Sequence, residues 1–448
     1  MKLHYKIILI IFASWLHAHD NQFKKKNENQ LLCIVFPSIL RKNNISFLYA
    51  QCSKNDRLFR LVHESLGQQK LKEDIKKLTE RIHYNQKPFF TFTVKVLLDE
   101  KLLTDKVLWS FKSNVGFVIY PLCQPNRHKY YKQQFLKIHT NKEKLFFDGK
   151  QVNSDIIMIK SLNGFFEFNN CSYHGSVLLV RNNDRFFLIN QLDIEDYIFC
   201  VLRWESWPGW PIEVNKAFAI ACRSYLIHQV AEAAKSNRVY HIKNTNIHQT
   251  YKGIHNNKEL RKAINQTRGL ILTYNQKPIV AMFDCCCGGI IPAHLSYIDF
   301  NKAPYLARTY QCNFCQPSKI YSWQLKYSLQ DFELLLKNAG YPLSEIKHIA
   351  VSANDMAGSV QEVVIHDKAT SLKLTGKQMY SLLEKVKSFC YSIEKKGKDI
   401  YFNGKGYGHH VGICQWGARR MIDLGWNYRS ILAFYYPGTK LMELKNTI

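Results

Sequence analysis

Asp193-Ile-Glu-Asp-Tyr-Ile-Phe-Cys-Val-Leu-Arg-Trp-Glu-Ser-Trp-Pro-Gly-Trp-Pro-Ile-Glu-Val-Asn-Lys-Ala-Phe-Ala-Ile-Ala-Cys-Arg-Ser-Tyr225 reads as helix, break, helix. Residues 193–202 carry a helical pattern whose first turn is acidic, which suits the positive end of a helix dipole. Pro208, Gly209 and Pro211 cannot sit inside a helix, so the chain must break between Trp204 and Trp210. Pro211 then fits the first turn of a second, longer helix reaching to about Ala234. Val214, Ala217, Phe218, Ala221, Tyr225 and Leu226 would be its buried stripe.

Upstream of this unit the chain reads as strands. Residues 89–98, 108–120, 145–147, 155–160 and 165–168 are short and rich in Phe, Val, Ile and Thr, with Asp148-Gly149 and Asn163-Gly164 as turns. Residues 175–180 and 185–189 read as a hairpin closed by Asn182-Asn183-Asp184. Earlier still, Leu58, Leu61, Val62, Leu66, Leu71, Ile75 and Leu78 give residues 53–83 a helical spacing, read as a packing helix. Residues 20–30 are polar and linker-like. At the start, Lys2 and Lys6 precede an apolar run over 7–16, too short to span a bilayer and suited to an export signal. The cleavage site is poor, since Leu16 stands three before a cut after Ala18, so an uncleaved anchor stays open. The expectation is an α+β chain: 1–19 signal peptide or N-terminal anchor, 20–84 a polar and helical region, 85–190 a small β-rich domain, and 191–445 a mixed α+β domain.

The chain has 62 Lys+Arg against 35 Asp+Glu in 448 residues, a net charge of +27. The lysines are scattered, so the excess reads first as solvated surface and second as a means of sitting on an anionic wall or membrane surface. No zinc-finger or RNA-binding signature accompanies it, and a nucleic-acid partner is not expected. Among 13 cysteines, Cys285-Cys286-Cys287 and Cys312-x-x-Cys315 stand out. They leave a disulfide or a structural zinc open, because one Cys-x-x-Cys is half a zinc signature. Cys414 is one of those standing alone.

Glu205 lies between Trp204 and Trp207. A carboxylate against indole rings loses solvation and holds its proton nearer neutral pH, as a general acid needs, and aromatic walls suit sugar rings. The alternative is that it merely caps or pairs at the loop. Residues 404–418 hold five glycines, His409, His410 and Gln415; they fit neither phosphate-loop pattern and read as a tight turn aiming His409 and Gln415 into a cleft. His241 and His248 read as surface histidines before metal ligands. There is no G-x-S-x-G and no H-E-x-x-H.

Four blocks in order resemble the SpoIID/LytB family of bacterial cell-wall proteins, the sporulation stage II protein D and amidase-enhancer family, over about residues 175 to 441. They are Leu192-Asp-Ile-Glu-Asp-Tyr197 running into Val201-Leu-Arg-Trp-Glu-Ser206; Trp210 to Tyr225; Gln249-Thr-Tyr-Lys-Gly253 with the stretch 263–274 and Cys287-Gly-Gly289; and Gly406-Tyr-Gly-His-His-Val-Gly-Ile-Cys-Gln-Trp-Gly-Ala418 with Tyr435-Tyr-Pro-Gly-Thr439. The resemblance implies a lytic transglycosylase acting on peptidoglycan glycan strands with Glu205 as acid/base and no second carboxylate. It places Arg223, Ser224, Tyr225, His409 and Gln415 along the cleft. It implies, as the alternative, a glycan-binding enhancer with a cell-wall amidase as partner, and an exported, periplasmic or cell-envelope location. Three positions depart from the family: Ser206 for Met, His410 for Gly, and Cys414 for Ser. His410 would add bulk beside the cleft. Zinc is reported in some members near the segment holding His241 and His248, but the ligand set is incomplete here, so no metal or other cofactor is assigned.

Overall fold

The computed structural model describes residues 92–444, except Arg127, His128, Lys142, Pro208, Pro342 and Ser344. The signal or anchor, the linker at 20–30 and the helix expected over 53–83 lie outside the described residues. Among the described residues no helix is long and apolar enough to cross a membrane.

Ten strands come first: β1 (Thr93–Leu102), β2 (Leu108–Lys112), β3 (Phe117–Pro121), β4 (Lys129–Tyr131), β5 (Phe135–Asn141), β6 (Lys144–Phe147), β7 (Lys150–Val152), β8 (Ile156–Phe168), β9 (Cys171–Asn182) and β10 (Arg185–Asp193). Burial alternates along β2 and β5, as with Leu136, Ile138 and Thr140, the mark of one face on the core, whereas β1, β8, β9 and β10 hold consecutive buried residues because a second apolar cluster of Leu97, Met158, Leu178, Val180, Ile189 and Tyr240 covers their other face. With β11 (Ile242–Lys243) they form one sheet in the order β11-β1-β10-β9-β8-β2-β5-β6-β7, with β3 pairing on β8 and β4 on β3. Pairing is antiparallel apart from β1 with β11. The expected hairpin is β9 to β10, closed where Asn183 takes a positive φ of 54°.

No linker separates the sheet from the helices. Asp193 ends β10 and also caps α1 (Ile194–Glu205), its carboxylate accepting from the Glu195 N–H at 2.8 Å. The second helix, α2 (Ile212–Lys235), begins behind Pro211 as expected. Its environment differs from the expected single stripe: Ala219, Ile220, Cys222, Arg223 and Ser224 are buried as well. The reason is its central position, packed on α1, α3 (Lys258–Gln266), β12 (Leu270–Tyr274) and two later helices. One hydrophobic core runs from sheet residues such as Phe111, Phe147 and Phe186 through Tyr197 and Phe218 to Ile431 and Tyr436, so it does not break at 190/191. Each such ring fully buried stabilises by about 1.5–3 kcal/mol.

After β12 come β13 (Lys277–Pro278) and β14 (Phe283–Asp284), then a long stretch to Tyr321 with only two short 3-10 turns. A second, separate core follows. It is built by β15 (Ser322–Ser328), α4 (Leu329–Asn338), β16 (His348–Asn354), β17 (Val360–His366), β18 (Ser371–Thr375), α5 (Gly376–Leu382), β19 (Tyr391–Lys396) and β20 (Asp399–Lys405), in two three-stranded sheets. The chain then returns to the first core through β21 (Ile413–Cys414), α6 (Gln415–Asp423), α7 (Tyr428–Tyr435) and β22 (Lys440–Glu443), which pairs with β12.

Candidate active site

Glu205 is the last residue of α1. The helix stops because Ser206 turns extended, while its N–H still reaches Leu202 O at 2.9 Å. The buried Ser206 hydroxyl donates to Asn215 Oδ1 at 2.6 Å, and Asn215 Nδ2 donates to Trp210 O at 3.1 Å. That pair ties the loop between the helices to the start of α2. The Glu205 carboxylate accepts from the Thr250 N–H at 2.7 Å. Thr250 is set in turn by the fully buried Gln249, which accepts from the Tyr197 hydroxyl at 3.0 Å and donates to Cys222 O at 3.2 Å.

Burial pushes the Glu205 carboxyl above the usual carboxylate range, opposed in part by its two bonds from Thr250, one from the backbone N–H and one from the side chain. The source of that burial corrects the expectation from sequence. Trp204 and Trp207 are 45% and 53% exposed. Consecutive residues at a helix end point in different directions, and the groups that feel the Glu205 charge are Tyr197, Cys222 and Tyr225.

The indoles form a wall instead. Trp207 stacks on Trp210 with centroids 6.2 Å apart, and Trp416 meets Trp210 edge-on at 5.6 Å. Trp416 follows Gln415, whose Nε2 donates to Glu205 O at 2.9 Å. The C-terminal glycine loop is thereby docked on the backbone of the acid. Tyr225 is half-buried and meets His248 edge-on. His409 is half-buried; its Nδ1 accepts from the Val411 N–H at 3.2 Å and its carbonyl accepts from the Tyr297 hydroxyl at 2.6 Å. Burial lowers the pKa of His409, which favours a neutral ring.

Arg223 and Ser224 do not line a cleft, and this corrects the sequence expectation. Arg223 is fully buried; it donates to Glu195 through Nε at 3.1 Å and Nη2 at 2.6 Å, and through Nη1 to Leu270 O at 2.9 Å. The Ser224 hydroxyl donates to Ile220 O at 2.6 Å and accepts from the Leu272 N–H at 2.7 Å. Both lock α2 to its neighbours. His410 is corrected too. It is 1% exposed, so it adds no bulk to a cleft; its φ of 62° explains why a glycine suits the position, and its ring lies on Cys287 O at 3.0 Å. His241 accepts from the Lys95 N–H at 3.1 Å, with burial lowering its pKa to about 4. Neither His241 nor His248 belongs to the one group among the described residues close enough to share a metal ion, which is Cys287, Cys312, Cys315 and Cys414.

Thr250, Gln249 and Trp416 were not singled out from sequence, although each lies in one of the four blocks. Their signal was the block; their contacts to Glu205 and Trp210 are long-range and have no local pattern.

Glu205 thus presents a carboxyl of raised pKa at the end of α1, on the loop that carries Trp207 and Trp210. The family model described as Stage II sporulation protein matches residues 182–274, and a domain of unknown function, DUF8618, matches residues 301–412. An uncharacterized protein of Brachyspira hyodysenteriae is 30% identical over 292 residues, 64% of this chain and 76% of that protein. The amidase enhancer of Bacillus subtilis is 26% identical over 283 residues, 52% of this chain and 38% of that protein. Stage II sporulation protein D of Bacillus amyloliquefaciens is 26% identical over 270 residues, 57% of this chain and 76% of that protein. The chain belongs to the SpoIID/LytB family, and its role is cell-wall-related.

Proposed function

We propose that the protein is a peptidoglycan lytic transglycosylase that cleaves the β-1,4 bond between N-acetylmuramic acid and N-acetylglucosamine. The observation that carries this reading is the Glu205 carboxyl, half-buried and held by Thr250, on the loop that carries Trp207 and Trp210, with the Trp416 segment docked on its backbone through Gln415. Burial raises the pKa of the carboxyl and so favours the protonated form, which can give its proton to the glycosidic oxygen as the bond to C1 breaks. The carboxylate so formed then takes the proton of the muramoyl 6-hydroxyl as that oxygen closes onto C1. The product is a 1,6-anhydro sugar, Glu205 ends protonated as it began, and no water is consumed. Thr250 favours the charged form through its N–H and so steadies the carboxylate between the two proton transfers. The indoles offer flat apolar faces to the sugar rings. The protein would act in the periplasm or cell envelope, with its positive charge favouring anionic wall polymers.

Similarity to an amidase enhancer supports a second reading, a glycan-binding partner of a cell-wall amidase. Mass spectrometry of purified glycan strands treated with the protein, with Glu205→Gln as control, separates the two. Anhydro-ended fragments absent with the variant support the transglycosylase. Intact strands that bind both proteins, with amidase stimulated equally by each, favour the enhancer. Fragments with a free reducing end would mean hydrolysis and would sink the proposed reaction.

A further inference from the structure

Four cysteines from three separate parts of the chain meet in the core. Cys287 follows β14, Cys312 and Cys315 lie in the long irregular stretch before β15, and Cys414 ends β21 and caps α6. All four are buried and unbridged, and their sulfurs lie within 4.8 Å of one another. Cys287 and Cys315 sulfurs are 3.6 Å apart. A disulfide needs about 2.05 Å. Four thiolates at about 2.3 Å around one zinc ion stand about 3.8 Å apart along each edge of the tetrahedron. The cluster has the size of that tetrahedron, whereas a covalent pair needs a much shorter approach.

The surroundings suit thiolates. Cys414 Sγ receives the Cys287 N–H at 3.3 Å and the Gly417 N–H at 3.2 Å. The Tyr435 hydroxyl lies 3.2 Å from Cys312 Sγ. Such bonds from outside the ligand set orient the sulfurs and offset their negative charge. Arg308 is buried nearby, its guanidinium carbon 5.9 Å from the Tyr435 ring; it donates to Ile290 O and Tyr310 O and, among the described residues, forms no ion pair. The buried Asp284 carboxyl lies within electrostatic reach of this cation, and a zinc with four thiolates, carrying two net negative charges, would add a second counter-charge. Gly417 is also demanded by the cluster: a Cβ there would lie 3.1 Å from Cys312 Sγ and 3.2 Å from Cys414 Sγ, and would collide with the Tyr435 hydroxyl.

We propose that Cys287, Cys312, Cys315 and Cys414 form a structural zinc site that clamps the irregular 285–321 stretch to the start of α6. The Cys285 and Cys286 sulfurs lie outside the group of four, although the Cys286 thiol is close enough to interact with Cys315 and Cys414. A stretch this long with so little regular structure needs an anchor to stay packed. The clamp fixes Cys414, the residue before Gln415, and so holds Gln415 against Glu205 O. Binding releases the thiol protons displaced by the ion. Cys312 and Cys315 lie within the DUF8618 match, while Cys287 and Cys414 lie outside both matched spans, so the ion would join segments no single match contains.

The test is elemental analysis of the full chain purified without chelator. About one zinc per chain is expected, with four thiols that resist alkylation until chelator and denaturant are added. Cys312→Ser and Cys414→Ser should lose the metal, and Cys285→Ser should keep it. Because the ligand variants can misfold, cobalt is substituted into the wild-type chain in parallel. Intense thiolate-to-cobalt absorption of tetrahedral type supports the site. Zinc below about a tenth of an equivalent with four reactive thiols, a mapped disulfide between any two of the four, stoichiometric iron, or a Cys285→Ser chain that loses its zinc each overturns the assignment. None of these readouts depends on whether Glu205 is catalytic.

Discussion

Arg223→Met removes a guanidinium that gives two bonds to Glu195 and one to Leu270 O, in a place with no exposure to water. Glu195 keeps the Gly269 N–H at 3.0 Å and loses the Arg223 guanidinium, its ion-pair partner among the described residues. Removing one member of a buried pair costs roughly 3–5 kcal/mol, because the remaining charge stays desolvated. Two charge-assisted bonds at about 1.5–3 kcal/mol each bracket the same figure. The thermal midpoint, followed by circular dichroism, should fall by on the order of 10 °C. Adding Glu195→Gln removes the stranded charge, so the double variant should recover at least about 1 kcal/mol over the single one. Binding to glycan strands, measured below the melting range, should match wild type. An unchanged midpoint with weakened glycan binding would refute this reasoning and return Arg223 to the cleft.

Glu205→Gln should lower glycan cleavage by about 10²–10⁴-fold. Burial raises the folded-state pKa of Glu205 above its unfolded value, so the wild-type chain loses stability as pH rises through that window; urea titrations should show the Gln variant gaining on wild type from acid to neutral pH, and a constant difference would contradict the burial. Trp207→Ala, at an exposed position, should weaken glycan binding about 3- to 10-fold, equivalent to about 0.5–1.5 kcal/mol, while the unfolding midpoint holds. Tyr197→Phe removes the hydroxyl that orients Gln249 and should cost about 1 kcal/mol in stability; through Thr250 it should lower kcat more than it raises KM, and a pure KM effect would argue against that chain of contacts.

The helix, break and helix were legible in the sequence because their causes are local: the acidic first turn, the prolines and Gly209, and the alternating strands before them. The capping role of Asp193 belongs to the same kind of signal, and the block around it was among those that carried the family. The Arg223–Glu195 pair was hidden because a stripe pattern assumes that one helix face meets water, and α2 has almost no such face. Glu205 was read as desolvated by its sequence neighbours, yet the burying groups come from α1, α2 and the Thr250 loop, which spacing alone cannot bring together. Cys414 looked solitary for the same reason: its three companions arrive through the returns of a long loop. The second core over 322–405 left no composition break at either end, so it stayed inside the expected 191–445 segment.

Asp193 belongs to both β10 and α1, and Glu205 is the twelfth and last residue of that helix. A helix of this length is a rod of about 18 Å whose angular phase advances about 100° per residue. One residue inserted anywhere between Asp193 and Glu205 would swing the carboxylate about a quarter-turn away from Thr250 while leaving sheet and loops intact. The spacing between the sheet edge and the acid is therefore a fixed count, kept like the teeth of a gear, and length changes in this protein have to be absorbed elsewhere.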